Sequence, residues 1–306
     1  MSKKKILIVG GTGFIGFNLI KKLLKGGFLI TSLSYNKVKN KKRLKNIKYI
    51  FCDISKKDQV RSKIQSEYDY VVNLAGNIDH SNKKETYQSH YLGFKNLIDI
   101  FKKKKIKKFI QIGSSTEYGF EKSPQKEEKK TKIRNLKSIY SRSKLKSTNY
   151  GIHLYKKNNL PITIVRIFLS YGPGQKTDRL IPFVINSCLR DVKFDCTAGN
   201  QIRDYIYIDD VVNFLILLLK DKKTNGEILN LGSGKPVKIK LVIKEIAKQI
   251  KKGNPNFGLI KLRKDEPSQL YADTKKLKKF MKWSPKVNLI NGLSKTIKFY
   301  QNLNKN

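Results

Sequence analysis

The sequence predicts an α/β fold: an open, doubly wound parallel sheet with a smaller C-terminal lobe. Three observations lead there. Short apolar runs such as Lys5-Ile6-Leu7-Ile8-Val9 read as strands buried on both faces. They alternate with longer stretches of helical spacing, the pattern of strand-helix-strand units. The first run passes directly into Gly10, Gly13 and Gly16, a spacing that lets the chain reverse, a ligand approach the backbone, and a helix sit close on the sheet.

That glycine turn makes the fold Rossmann-type and points to a bound dinucleotide, with the first amides of the following helix (14–25), at Phe14 and Ile15, facing its phosphates. Residues 28–34 form the second strand, and its end bears on the cofactor. A carboxylate there, roughly 20 residues past the glycines, would bond the adenosine ribose of NAD and repel the extra phosphate of NADP. This chain has Ser34, then Tyr35, Asn36 and Lys37, with Lys39 and Arg43 behind, so either NAD or NADP is expected, with NADP slightly favoured. A third strand, 47–52, leads to Asp53 and Ile54. Asp53 either bonds an adenine amine or caps a helix starting near Ser55.

Strand 70–74 runs into Leu74, Ala75 and Gly76, small enough at the last two positions for a dinucleotide to pass the backbone. A helix over 84–104 has Tyr87, Tyr91, Phe94, Leu97, Ile98 and Phe101 at core spacing. Strand 109–112 ends in the polar segment from Gly113 to Gly119, where an open parallel sheet places its ligands. After a charged loop (121–135) come a helix over 136–157 and a sixth strand over 162–168. Beyond residue 169 the alternation loosens around Gly172, Pro173, Gly174 and Pro182, with helices over 208–220, 237–251 and 289–303. The reading is a dinucleotide-binding domain at 1–169, and at 170–306 a mainly substrate-binding lobe interleaved with the end of the first domain.

Lys and Arg outnumber Asp and Glu 66 to 23, for a net charge of +43. A nucleic-acid surface is not the expectation, because only nine of the 66 are Arg and the lysines spread over nearly every surface element. The field should instead attract anionic ligands such as nucleotide diphosphates. Cys52, Cys188 and Cys196 have neither metal-ligand spacing nor even pairing, which suggests reduced thiols, no metal and a cytoplasmic location. No apolar run is long enough to span a bilayer, and the first strand follows Met1 too closely for a signal peptide. His80 and His153 show no partner pattern.

Tyr140 and Lys144 lie four residues apart on one helix face, so an ammonium sits beside a phenol. A phenol titrates near 10 in water; a neighbouring cation draws it towards working pH. Ser114, at a strand end, would hydrogen-bond the same substrate oxygen. Together the three form a proton-handling site for interconverting a secondary alcohol and a ketone, the hydride moving to or from a nicotinamide.

With these motifs the chain resembles the extended short-chain dehydrogenase/reductase family, in particular its nucleotide-sugar epimerases, dehydratases and 4-ketoreductases. The resemblance covers nearly the whole chain and includes Asn73-Leu74-Ala75-Gly76, Tyr171-Gly172-Pro173-Gly174, Arg203-Asp204-Tyr205-Ile206-Tyr207, Asn230-Leu231-Gly232-Ser233-Gly234, Arg263, Ala272-Asp273 and Trp283-Ser284-Pro285. It implies that Ser114, Tyr140 and Lys144 are catalytic, that Arg203 and Arg263 grip a nucleotide diphosphate, and that Ser115, Thr116 and Tyr207 face the substrate. Residues 199–212, with 171–182 before them, are especially similar to the CDP-abequose and CDP-paratose synthase branch, which reduces 4-keto sugars for cell-surface polysaccharides. Ser115 and Thr116 replace the Asp-Glu pair of the 4,6-dehydratases, which speaks against dehydration. Leu169 and His90 stand where the family has asparagines, and His90 reads as a packed or surface residue. The expectation is an NAD(P)-dependent 4-keto sugar reductase. Its alternatives are a 4-epimerase with tightly bound NAD, a C4 dehydrogenase and, more distantly, a non-catalytic nucleic-acid-binding protein. The resemblance also implies a homodimer, formed through the helix starting near Lys84 and the one carrying Tyr140.

Overall fold

The computed structural model describes residues 3–37, 43–77, 81–263 and 265–304; Lys39 and His80 lie outside the described residues. In chain order the elements are β1 (Lys5–Val9), α1 (Phe14–Leu24), β2 (Leu29–Ser34), β3 (Ile47–Phe51), α2 (Lys57–Lys63), β4 (Tyr70–Asn73), α3 (Lys83–Tyr87), α4 (Gly93–Phe101), β5 (Lys108–Ser114), α5 (Ile139–Asn158) and β6 (Ile162–Ile167). There follow β7 (Leu169–Tyr171), α6 (Leu180–Leu189), β8 (Lys193–Cys196), β9 (Ile202–Tyr207), α7 (Ile208–Lys220), β10 (Ile228–Leu231), β11 (Pro236–Lys238), α8 (Ile239–Ile250), β12 (Asn254–Phe257), β13 (Gln269–Leu270), α9 (Lys275–Met281) and α10 (Leu289–Leu303). The chain divides into two compact units, one of residues 1–119, 130–166 and 212–229, the other of 120–129, 167–211 and 230–306.

The first unit is organised on a seven-stranded sheet in the order β10-β6-β5-β4-β1-β2-β3. The pairings from β3 through β2, β1 and β4 to β5 are all parallel, with Leu7 opposite Thr31 on one side and Val71 on the other. This is the doubly wound α/β fold that the apolar runs predict. Leu7, Val9, Val71, Phe94, Leu97, Phe109, Ile162 and Ile164 meet in one buried cluster. Each such large side chain contributes about 1.5–3 kcal/mol on burial.

In the second unit β9 is central, paired antiparallel with β11 and parallel with β7 and β13, while β8 and β12 form a separate parallel pair. The fully buried Asp204 carboxylate accepts from Ser233 N at 2.7 Å, Gly234 N at 2.9 Å and Ala272 N at 3.2 Å, fastening the glycine loop after β10 to β9. Among the described residues no helix is long and apolar enough to cross a membrane.

Several elements differ from expectation. The helix expected over 84–104 is broken into α3, a π-helical turn (Gln88–Leu92) and α4. The helix expected from 237 starts at Ile239, because Pro236–Lys238 pair with β9 instead. α6 was not expected, since Pro182 reads as a breaker; it stands in the first turn, where a missing N–H leaves no bond unmade. Finally, Lys108, one of the lysines expected on the surface, is fully buried, its Nζ donating to Asp221 O (2.7 Å), Thr224 Oγ1 (2.9 Å) and Asn225 Oδ1 (2.7 Å).

Candidate active site

The glycine turn between β1 and α1 is shaped by what a side chain would meet. Gly10 has φ of +81°, and a Cβ there would lie 2.9 Å from Ala75 N; a Cβ on Gly16 would lie 2.7 Å from Gly11 Cα. Gly13 N donates to Gly10 O at 3.0 Å, and α1 opens at Phe14 and Ile15 with no side-chain cap on its first amides. Leu74, Ala75 and Gly76 follow β4, with Asn73 Oδ1 holding Ala75 N at 3.2 Å. Asp53 does not cap α2, which begins two residues later than expected, at Lys57. Its Oδ1 accepts from Ser55 N (2.9 Å) and Ser55 Oγ (2.7 Å), next to the buried Ile54. Ser34 is buried at the end of β2, whereas Asn36 and Lys37 are exposed.

Ser114, Tyr140 and Lys144 all belong to the first unit. α5 is started by Ser138, whose side chain accepts from Ser141 N at 3.1 Å, so Tyr140 lies in the first turn and Lys144 one turn further on. The Lys144 ammonium is 6.0 Å from the centre of the Tyr140 ring and donates to Ile112 O at 2.8 Å. Burial pushes this lysine down to about 8, with Glu117 working in the opposite direction. Two residues beyond Ile112, the Ser114 Oγ accepts from Thr116 N at 3.2 Å and lies 3.0 Å from Thr116 Oγ1. Ser115 is buried in the 3-10 turn that follows β5, and Thr116 is half-buried.

Two neighbours enlarge this set. The His90 ring, carried on the π-helical turn, packs edge-on with Tyr140 at 4.9 Å, and its Nε2 lies 2.9 Å from Asn77 O. π-Helical turns are frequent at functional sites, and His90 on this one is buried. Glu117 is fully buried and accepts from Ser114 N, Thr148 Oγ1 and Arg166 Nε, each at 2.8 Å. Sequence reasoning passed over Glu117, although its spacing of three from Ser114 is that of a capping box.

In the second unit Arg203 is buried on β9, with one guanidinium nitrogen 2.5 Å from Glu266 Oε1 and another donating to Ile202 O at 2.8 Å. Arg263 is exposed and reaches the other oxygen of Glu266 at 3.8 Å. One carboxylate therefore gathers the two arginines singled out for a diphosphate. Tyr207 is buried, its ring 5.6 Å from Tyr171 and 5.7 Å from Lys295 Nζ.

Residues 6–232 match the NAD dependent epimerase/dehydratase family. The chain belongs to this family. It is 28% identical over 312 residues to a UDP-glucuronate 4-epimerase of Thermodesulfobacterium geofontis, covering 95% of this chain and 94% of the relative. It is 27% identical over 309 residues to a CDP-abequose synthase of Salmonella muenchen, covering 96% and 97%. Its structure is similar to that of the UDP-glucuronic acid 4-epimerase from Bacillus cereus, solved in complex with UDP-glucuronic acid and NAD, with a TM-score of 0.86, 26% identity, and coverage of 98% and 99%.

As a member of the NAD dependent epimerase/dehydratase family the chain is an NAD-dependent enzyme, and its residues fit that cofactor. Gly10 and Gly16 let the turn close on Ala75 and Gly11 with no room for a Cβ, the tight strand-to-helix turn that a dinucleotide site needs. The Ser34 hydroxyl is buried with no hydrogen-bond partner among the described residues, an orphan that a ribose hydroxyl would satisfy. The first amides of α1, uncapped by any side chain, suit phosphate oxygens.

Proposed function

We propose that the chain is an oxidoreductase acting at C4 of a nucleotide-activated sugar, as a 4-keto sugar reductase. The observation that carries this reading is the buried Lys144 ammonium beside the Tyr140 ring, gripping the strand that ends in Ser114. In this reading the Tyr140 phenol gives its proton to the C4 oxygen, Ser114 donates a hydrogen bond to that oxygen, and Lys144 stabilises the phenolate left behind. The nicotinamide, when bound, supplies the hydride. Glu117, the carboxylate of this segment, has its oxygens taken by Ser114 N, Thr148 and Arg166, which supports reduction over the elimination of water.

On the substrate side, Arg203 and Arg263 would exchange the Glu266 carboxylate for diphosphate oxygens. The similarity to a CDP-abequose synthase across both chains supports a nucleotide sugar of cell-surface polysaccharide synthesis. Ser34 and Lys37 support acceptance of NADP beside NAD, and pairing of two copies through α3 and α5 belongs to the same reading. The test is incubation with NADH or NADPH and a 4-keto nucleotide sugar. Stoichiometric loss of absorbance from the reduced cofactor is expected, with Tyr140→Phe inactive. Conversion with no net change of cofactor would refute the reductase. It would favour the second reading, a 4-epimerase, which the similarity to the UDP-glucuronate 4-epimerase supports.

A further inference from the structure

We propose that Glu117 is a positioning residue of this site: its carboxylate fixes the end of β5 that presents Ser114 and is the counter-charge that keeps Lys144 protonated. The inference rests on the roles given above to Ser114 and Lys144, but its test needs no substrate.

Glu117 joins three elements through one side chain. Its Oε1 holds Ser114 N at the end of β5, and its Oε2 holds Thr148 on α5 and Arg166 on β6. A Cβ on Gly113 would lie 2.6 Å from Glu117 Oε1 and 3.1 Å from Arg166 Cγ, so the carboxylate and guanidinium fill the space above this turn of the strand. Both ions are withdrawn from water, which is costly, and packing alone does not require ions here.

Lys144 gives the charge a use. Its ammonium is buried and bonded to Ile112 O, two residues before Ser114 on the strand that Glu117 also holds. Burial disfavours the ammonium, and Glu117 is the group that opposes this. A neutral Lys144 could not stabilise a phenolate on Tyr140. Among the described residues the titratable groups beside this cluster include Arg166 on β6, the phenol of Tyr118, whose ring lies 4.5 Å from that guanidinium, Tyr140 on α5, and His90, which packs against Tyr140 from the π-helical turn. Arg166 and Lys144 therefore draw on the same anion, and changing one should alter the other.

The experiment reads the ionisation of Lys144 in the purified chain. Unfolding free energy is measured against pH for a parent protein and for the same protein carrying Lys144→Met. The difference begins to change at the ionisation of Lys144 in the folded state. The parents are the wild type, Arg166→Met, and the double variant Glu117→Gln with Arg166→Met. Onset near pH 8 is expected for the wild type. It should rise by about one pH unit in Arg166→Met, where Lys144 has the carboxylate to itself, and fall by about one unit in the double variant. An onset common to all three, or moving the same way in both variants, would overturn the proposal. The double variant leaves neither ion of the pair buried alone. If Arg166→Met fails to fold, the wild type against the double variant decides, and an unmoved onset overturns the proposal.

Discussion

Replacing Lys144 by methionine should remove activity and alter stability in opposite senses at neutral and alkaline pH. The folded ionisation lies at about 8, against 10.5 for an ordinary lysine. Between these values the unfolded chain holds the proton that the folded chain has released, so wild-type stability rises with pH. Below pH 8 the whole penalty of the buried ammonium is present, about 3 kcal/mol at 1.36 kcal/mol per unit. Methionine removes that penalty and loses one bond, the 2.8 Å donation to Ile112 O, worth about 1.5–3 kcal/mol when the donor is charged. Near pH 7 the variant should be as stable as the wild type, or more stable by up to about 2 kcal/mol. Near pH 10.5 the wild type has shed its penalty, and the variant should have lost about 3 kcal/mol relative to it. Urea unfolding of both proteins at several pH values measures the difference, and the other titrating groups cancel. A difference that stays constant within about 1 kcal/mol across this range would refute the reasoning. In the same samples, turnover in the assay of the proposed function should fall at least about a hundredfold.

Lys108 titrates in the same range, at about 8, because it too is buried, but its environment predicts a different outcome. It has three acceptors where Lys144 has Ile112 O, so Lys108→Met should destabilise by about 1–5 kcal/mol near pH 7, read by urea unfolding. A variant as stable as the wild type would show that those bonds contribute nothing net. Gly16→Ala should leave a folded protein with at least about tenfold weaker NAD binding by calorimetry, because its Cβ would displace Gly10 and Gly11. Unchanged affinity would remove the turn from the cofactor site.

The strands β1 and β4 were legible because a strand covered on both faces has no polar side, and that pattern is local. Gly16 was legible for a similar reason, since the space it occupies is set by Gly10 and Gly11; Gly10 was legible from its spacing alone, although its own space is set by Leu74 and Ala75 beyond β4. The break at Gln88–Leu92 was not, because a π-helical turn inserts a residue without changing which residue types follow. Lys108 looked like one more surface cation because its acceptors come from Asp221, Thr224 and Asn225, more than a hundred residues away in sequence. The pairing of Glu117 with Arg166 bridges 49 residues in the same way. Short-range spacing carries the backbone's shape, whereas the partners of buried charges come from contacts that only the folded chain makes.

The return of residues 212–229 to the first unit bears on how the protein is made. β10, which closes one side of the seven-stranded sheet against β6, leaves the ribosome long after β6 itself. At ~5–20 residues per second, β6 waits for several seconds as an apolar edge with unpaired backbone groups. Such an edge can be completed by a strand from another chain. Nascent chains, and gene fragments ending before Ile228, therefore expose Ile162–Ile167 as a template for aggregation, and yield during expression should depend on how quickly synthesis passes that point.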